Sequence, residues 1–133
     1  MFELNPRIEA DTVPVTEWPL CRMLLMNDST YPWLLLVPRR AGVVEITDLA
    51  PGDRQTLLDE IARASTALRQ AVAPHRINIA ALGNVVAQLH VHVIARNTDD
   101  AAWPKPVWGA VPAQPYAPEA LEKRLAQLRA ALG

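Results

Sequence analysis

The pattern of apolar and polar residues along the chain predicts five short strands and two long helices. Runs of strand length lie at 13–16, 21–26, 33–37, 77–81 and 88–95. Residues 1–19 contain three prolines, so this segment is expected to be a loosely structured lead-in apart from the first short strand. Polar turn residues at 27–30 separate the second and third strands. Short connections of this kind favour a mainly antiparallel sheet.

Two segments have the spacing of amphipathic helices. The first begins at Pro51, with Asp53 in its first turn, and ends before Pro74. The second runs from about 118 to 132 and follows a proline-rich loop that starts at Asn97. The apolar stripes consist of Leu57, Leu58, Ile61, Ser65, Leu68 and Val72 in the first helix and of Leu121, Leu125, Leu128 and Leu132 in the second. The order of elements predicts a single α+β domain over residues 1–133.

Two of the strands have informative patterns. The run at 33–37 is apolar throughout, which is typical of a strand that is covered on both faces. The run at 88–95 alternates, because successive side chains of a strand point to opposite faces. One face of this strand would carry Leu89, Val91, Val93 and Ala95, and the other Gln88, His90, His92 and Ile94. The second face therefore places two imidazoles and an amide in one row.

Composition excludes several classes of protein. The chain has 133 residues, with 13 basic and 14 acidic side chains, so no net field draws it to nucleic acid or to a membrane. The single cysteine, Cys21, excludes an internal disulfide and lies in an apolar run, where a small buried side chain is expected. The first residues lack the pattern of a signal peptide, and the densest apolar run is far shorter than a membrane span. A soluble, cytoplasmic protein is expected.

Three interpretations of the histidine row stay open at this point. An isolated pair of this kind is most often hydrogen-bonded within a half-buried strand. A metal site is a second possibility, but the nearby acidic residues, Asp99 and Asp100, lie in a turn-rich loop. The third is nucleophilic attack on phosphorus by a neutral imidazole. For that chemistry Asn84 offers an amide donor beside a glycine, and Arg96 offers a cationic fork for phosphate.

The region around the histidines resembles the histidine triad (HIT) domain. The HIT signature is His-φ-His-φ-His-φ-φ, where φ is apolar, and it follows a Gly-Gln-Ser/Thr segment. The corresponding residues here are GNVVAQLHVHVI at 83–94, followed by WPKPVWG at 103–109. Upstream, the pair Asn27-Asp28 and the run PWLLLVPR at 32–39 resemble a second block of the family. The resemblance covers about residues 20–110 and implies that they form the core of the domain.

The resemblance implies a compact α+β domain that usually forms a homodimer by joining two sheets. It implies hydrolysis or transfer of a nucleotide at the α-phosphate of a nucleoside phosphoramidate, a dinucleoside polyphosphate or a nucleotide sugar. His90 takes the position of the family's nucleophile, and His92 and Asn84 take positions that contact phosphate. Three positions depart from the family pattern: Gln88 replaces the first histidine, Val85 a serine or threonine that often contacts the leaving group, and Trp33 a further histidine.

The expected site follows from these correspondences. His90, His92 and Gln88 are the candidate catalytic residues, and the candidate substrate-binding residues are Asn27, Asp28, Trp33, Asn84, Arg96 and Trp103. No metal or cofactor is expected, and the expected partners are a nucleotide-derived small molecule and a second copy of the chain. The departures leave one alternative open, a non-catalytic module that binds a nucleotide or a protein.

Overall fold

One antiparallel sheet of five strands organises the chain, which the computed structural model describes over residues 1–133. The elements in chain order are α1 (Pro6–Asp11), β1 (Thr12–Glu17), β2 (Cys21–Met26), β3 (Trp33–Pro38), a 3₁₀ turn (Ile46–Asp48), α2 (Pro51–Val72), β4 (Arg76–Ala81), β5 (Val91–Arg96) and α3 (Pro118–Leu132). The strand order is β1-β2-β3-β5-β4, and every neighbouring pair is antiparallel. The predicted single α+β domain with a mainly antiparallel sheet and two long helices is confirmed.

The two long helices cover one face of the sheet. Leu57 and Leu68 of α2 and Leu128 and Leu132 of α3 are buried in the larger apolar cluster, where they pack with alternate residues of β2, β3 and β5. Glu60 of α2 is also buried, and its carboxylate accepts the backbone N–H groups of residues 20 and 21. None of the helices combines the length and the apolar character needed to cross a lipid bilayer.

The opposite face of the sheet is covered by loops and by the N-terminal segment. A second apolar cluster here contains Trp33, Leu35 and Val37 of β3 together with Ile94 of β5. Leu24 of β2, Ile8 of α1 and several loop residues complete it. Every residue of β3 is buried, which confirms the expectation that this strand is covered on both faces.

The N-terminal segment is more regular than the sequence interpretation allowed. Residues 6–11 form the short helix α1 rather than part of a loose lead-in. The Asn5 side chain caps this helix by accepting the backbone N–H of Arg7 at 2.9 Å, and Pro6 occupies the first helical position. The prolines predict an irregular lead-in, but Asn5-Pro6 is in fact the start of a helix.

Two further details of the prediction were wrong. The strand that was predicted to contain both histidines begins at Val91, three residues later than predicted, because the backbone N–H of Leu89 donates to Val43 O in the loop after β3. His90 therefore directly precedes the strand, although the assignment of residues to faces is confirmed. In α2, Leu58 is 60% exposed. The buried stripe of that helix runs instead through Leu57, Glu60, Ala64, Ala67 and Leu68.

Candidate active site

His90 and His92 lie side by side on the face of the sheet that the long helices leave free. Their ring centroids are 5.0 Å apart and their planes are inclined at 74°. Only 8% of His90 and 4% of His92 is exposed, yet both line a cavity of about 410 Å³. The other lining residues are Arg7, Asp11, Met26, Trp33, Leu82, Asn84, Val85, Val86 and Trp108. No group of three or more His, Cys, Asp or Glu side chains is placed to hold a metal ion.

Trp33 fixes the orientation of the His92 ring. On β3, Trp33 lies opposite Ile94 of β5, so its side chain is on the same face as that of His92 two residues earlier. The indole Nε1–H donates to His92 Nδ1 at 2.9 Å. An indole N–H can only donate, so Nδ1 of His92 must be the unprotonated nitrogen. The proton of the neutral ring is therefore on Nε2, which is a hydrogen-bond donor.

Burial keeps the His92 ring neutral. Desolvation, followed by the repulsion of a neighbouring charge on His90, lowers the pKa of His92 from 6.5 to about 4. At neutral pH the ring carries no charge and keeps the single tautomer that the Trp33 bond selects.

The tautomer of His90 is fixed in the opposite sense. Its Nδ1 lies 2.7 Å from the backbone carbonyl oxygen of Gln88. A carbonyl oxygen can only accept, so His90 Nδ1 carries the proton and its Nε2 keeps an unshared electron pair. The cavity thus holds one imidazole whose Nε2 has a free electron pair and one whose Nε2 is a hydrogen-bond donor.

Of the remaining predicted site residues, Trp33 and Asn84 line the cavity and Gln88 does not. The Gln88 side chain turns instead to the N-terminal segment, where it bonds to the backbone of Glu3 and Asn5. Gln88 takes part in the site through its backbone carbonyl, on which the His90 ring depends.

Asn27 and Asp28 lie outside the cavity and hold the segment that leads into α3. Asn27 Oδ1 accepts the backbone N–H of Tyr116 at 3.0 Å. Asp28 Oδ1 accepts the backbone N–H groups of Thr30 and Gln114. Their contacts connect the turn after β2 to residues 114–116.

Arg96 and Trp103 also lie outside the cavity. The Arg96 side chain is 1% exposed and donates to both carboxylate oxygens of Asp100, to Asn78 Oδ1 and to Lys105 O. The bonds from Arg96 are the main cause that lowers the pKa of Asp100. Trp103 packs over the Arg96 guanidinium and against the ring of His75. Both predicted residues therefore support the loop after β5.

Seven of the eleven cavity residues were not among the predicted site residues, and three of these seven have polar or aromatic side chains. Trp108 packs edge-on against His92, with ring centroids 4.9 Å apart, and against Trp33. Trp108 lies in the WPKPVWG segment that carries part of the family resemblance, and this position could have indicated that it belongs to the site. Arg7 and Asp11 come from α1, and only recognition of that helix would have brought them into the site.

His90 also borders a second cavity, of about 220 Å³. This cavity lies beside the loop between β3 and α2 and the loop after β4. Its other lining residues are Val44, Glu45, Ile46, Thr47, Ala81, Leu82, Gly83 and Leu89. A group bound to His90 thus has space on two sides.

Comparison with known proteins gives a consistent result. The family model for the HIT domain matches residues 7–99. A crystal structure of a histidine triad protein from Bradyrhizobium japonicum is similar, with 44% identity, a TM-score of 0.97 and coverage of 99% of this chain and 98% of that chain. A histidine triad protein from Marinobacter aquaeolei VT8 is 45% identical, with a TM-score of 0.97 and coverage of 99% and 96%. The comparison with curated proteins gave no match.

Proposed function

Since the chain belongs to the HIT domain family, we propose that it is a nucleotide hydrolase or nucleotidyl transferase. The proposed substrates are nucleoside phosphoramidates and dinucleoside polyphosphates, and the proposed point of attack is the α-phosphorus. The observation that supports this most directly is the pairing of fixed tautomers at the cavity. His90 has a free electron pair on Nε2, and the neighbouring His92 has a proton on Nε2.

The first chemical step is attack by His90. The Nε2 electron pair forms a bond to phosphorus, and the leaving group departs with the electron pair of its own bond to phosphorus and takes a proton from solvent where its basicity requires one. The imidazole becomes positively charged as it is nucleotidylated. The Gln88 carbonyl, which accepts the Nδ1–H at 2.7 Å, stabilises that charge.

The second step releases the product. Water or another acceptor attacks the nucleotidyl-histidine, the N–P bond breaks, and its electron pair returns to His90 Nε2. With water, the product is a nucleoside monophosphate. His92 Nε2–H and the Asn84 amide are the proposed donors to the phosphate oxygens in both steps, since both residues line the cavity.

The test is trapping of the covalent intermediate. Adenosine phosphoramidate and diadenosine tetraphosphate are each added to the protein, the reaction is quenched, and an adenylylated peptide is sought by mass spectrometry. We expect the adduct on His90, and we expect His90→Ala to abolish both adduct and turnover. His75→Asn is the matched control, because His75 is exposed and lies outside the cavity.

The alternative is a module that binds nucleotides or a protein without reaction. This alternative is supported by the three positions that depart from the family pattern, Gln88, Val85 and Trp33. Calorimetry with nucleoside monophosphates separates the two cases. Binding without turnover or adduct, changed little by His90→Ala, would contradict the catalytic proposal.

We also propose that the protein is a homodimer. The resemblance implies one, and β4 supports it because this strand forms an edge of the sheet with Ile79 half exposed on it. Sedimentation equilibrium is expected to give twice the monomer mass, and a monomer at micromolar concentration would contradict this part of the proposal.

A further inference from the structure

The Gln88 side chain makes two bonds to the N-terminal segment. Its Oε1 accepts the backbone N–H of Asn5, and its Nε2 donates to the backbone oxygen of Glu3, each at 2.8 Å. A primary amide has a donor and an acceptor side by side, so it pairs with a backbone much as a neighbouring strand would. The segment is thereby fixed to the residue whose carbonyl orients His90.

Asn5, which is bonded to Gln88 through its backbone, is also the residue that caps α1. Its side chain accepts the backbone N–H of Arg7 and so sets the start of the helix. Ile8, one residue further, is buried in the cluster beside the cavity. Gln88, Asn5 and Ile8 together determine where the first turn of α1 lies.

This placement brings Arg7 to the cavity that holds the histidines. Arg7 lines it together with Asp11, and their charged groups are 4.0 Å apart. Both side chains remain more than half exposed, so Arg7 is at the open side of the cavity and free to turn to a ligand. Arg7 is the only positively charged residue among those that line this cavity.

One further lining residue, Val85, offers no help to the leaving group. Val85, on the loop after β4, is exposed, and its side chain can neither donate a proton nor accept a hydrogen bond. An amine that leaves phosphorus needs a proton, whereas a phosphate chain leaves as an anion and needs only compensation of its charge. Arg7 can supply that compensation, since a guanidinium binds phosphate oxygens in a bidentate manner.

We propose that Gln88 is a positioning residue that holds the N-terminal segment so that Arg7 binds the phosphate chain of an anionic leaving group. This inference rests on the proposed function and narrows it, because dinucleoside polyphosphates become the preferred substrate class. The Asp11 carboxylate repels the same phosphates. Removal of its charge is therefore expected to strengthen binding of the phosphate chain, and removal of the charge on Arg7 to weaken it.

The experiment compares two substrates. The ratio of kcat/KM for diadenosine tetraphosphate to kcat/KM for adenosine phosphoramidate is measured for the unmodified chain and for variants. We expect Arg7→Gln to lower the ratio about fivefold, which is the effect of one largely exposed ion pair, and Asp11→Asn to raise it.

The positioning role of Gln88 is tested with the same ratio. Gln88→Glu keeps the shape of the side chain but replaces the donor to Glu3 O with an acceptor, and it is expected to lower the ratio as well. Arg54→Gln and Gln70→Glu, both on the exposed side of α2, are the matched controls.

Two readouts do not depend on turnover. Gln88→Met removes the oxygen that accepts the Asn5 N–H, so amide hydrogen exchange at Asn5 is expected to be faster in that variant and unchanged in Gln70→Met. Calorimetry is expected to show that Arg7→Gln weakens binding of adenosine triphosphate more than binding of adenosine monophosphate. If no variant of the chain turns over either substrate, the proposed function fails while these two measurements still decide the inference. Unchanged exchange at Asn5, or equal losses for the two nucleotides or the two substrates, would overturn it.

Discussion

Each histidine at the cavity is held by a partner that can act in one direction only. The indole N–H of Trp33 donates and the carbonyl of Gln88 accepts, so the two rings take opposite tautomers. A water molecule or a hydroxyl group in either place could reverse its role and leave the tautomer undetermined. Trp33, which stands where the resemblance leads one to expect histidine, thus keeps an N–H donor at this point of the site.

Loss of the Trp33 donor should therefore free the His92 tautomer. In Trp33→Phe the aromatic packing is largely kept but Nδ1 of His92 loses its bond, so we expect both nitrogens to share the proton. The ¹⁵N chemical shifts of the imidazole report this directly. If His92 donates to phosphate in the reaction, kcat falls about tenfold, which corresponds to one hydrogen bond.

The control for this substitution is Trp18→Phe, because Trp18 is buried in the cluster on the face that the long helices cover. It should leave the ¹⁵N shifts of His92 unchanged. Shifts of His92 that are the same in Trp33→Phe as in the unmodified chain would contradict the assignment of the tautomer.

Among the elements, the loop between β5 and α3 depends on one buried ion pair. The fork of Arg96 engages both oxygens of Asp100, and Asp100 in turn accepts the backbone N–H groups of Asn97, Ala102 and Trp103. The loop returns past the site and brings Trp108 against His92. The sequence interpretation assigned the fork of Arg96 to phosphate, because a pattern along the chain does not show that its partner, Asp100, lies four residues ahead in a turn.

Removal of one member of this ion pair should lower the free energy of unfolding far more than removal of an exposed arginine. Arg96→Met leaves the Asp100 carboxylate buried without its counter-charge, so we expect the free energy of unfolding to fall by about 3 kcal/mol. Arg76→Met is the matched control, since Arg76 lies directly opposite Arg96 on β4 but is exposed. Urea unfolding measures both, and losses that agree within about 0.5 kcal/mol would contradict this account.

For the molecule as a whole, periodicity predicted most of the fold. Four strands and both long helices lie close to their predicted bounds, because burial of alternate or helically spaced apolar residues leaves a direct trace in the sequence. α1 was missed because six residues are too few for periodicity, and only the Asn5-Pro6 cap marks it. The histidine pair was found from its spacing. Arg7 and Asp11 were not, because their place at the cavity depends on tertiary contacts that no local pattern contains.

The stability of the whole fold should also report the burial of His92. Its pKa is about 4 in the folded chain and 6.5 when exposed, so between these values the unfolded chain binds more protons than the folded one. The neutral, buried His92 ring therefore makes its full contribution to the free energy of unfolding above about pH 6.5. That contribution is lost as the pH falls towards 4, and the total loss is on the order of 3 kcal/mol. Urea unfolding at a series of pH values measures this loss as the slope of the unfolding free energy against pH.

Two variants test the assignment of this slope to His92. His92→Gln, which can still accept from Trp33, should lose the part of the slope that comes from His92, whereas His75→Asn should keep it because His75 is exposed. Equal slopes in the unmodified chain and in His92→Gln would show that the ring takes up its proton as easily in the folded protein as in water.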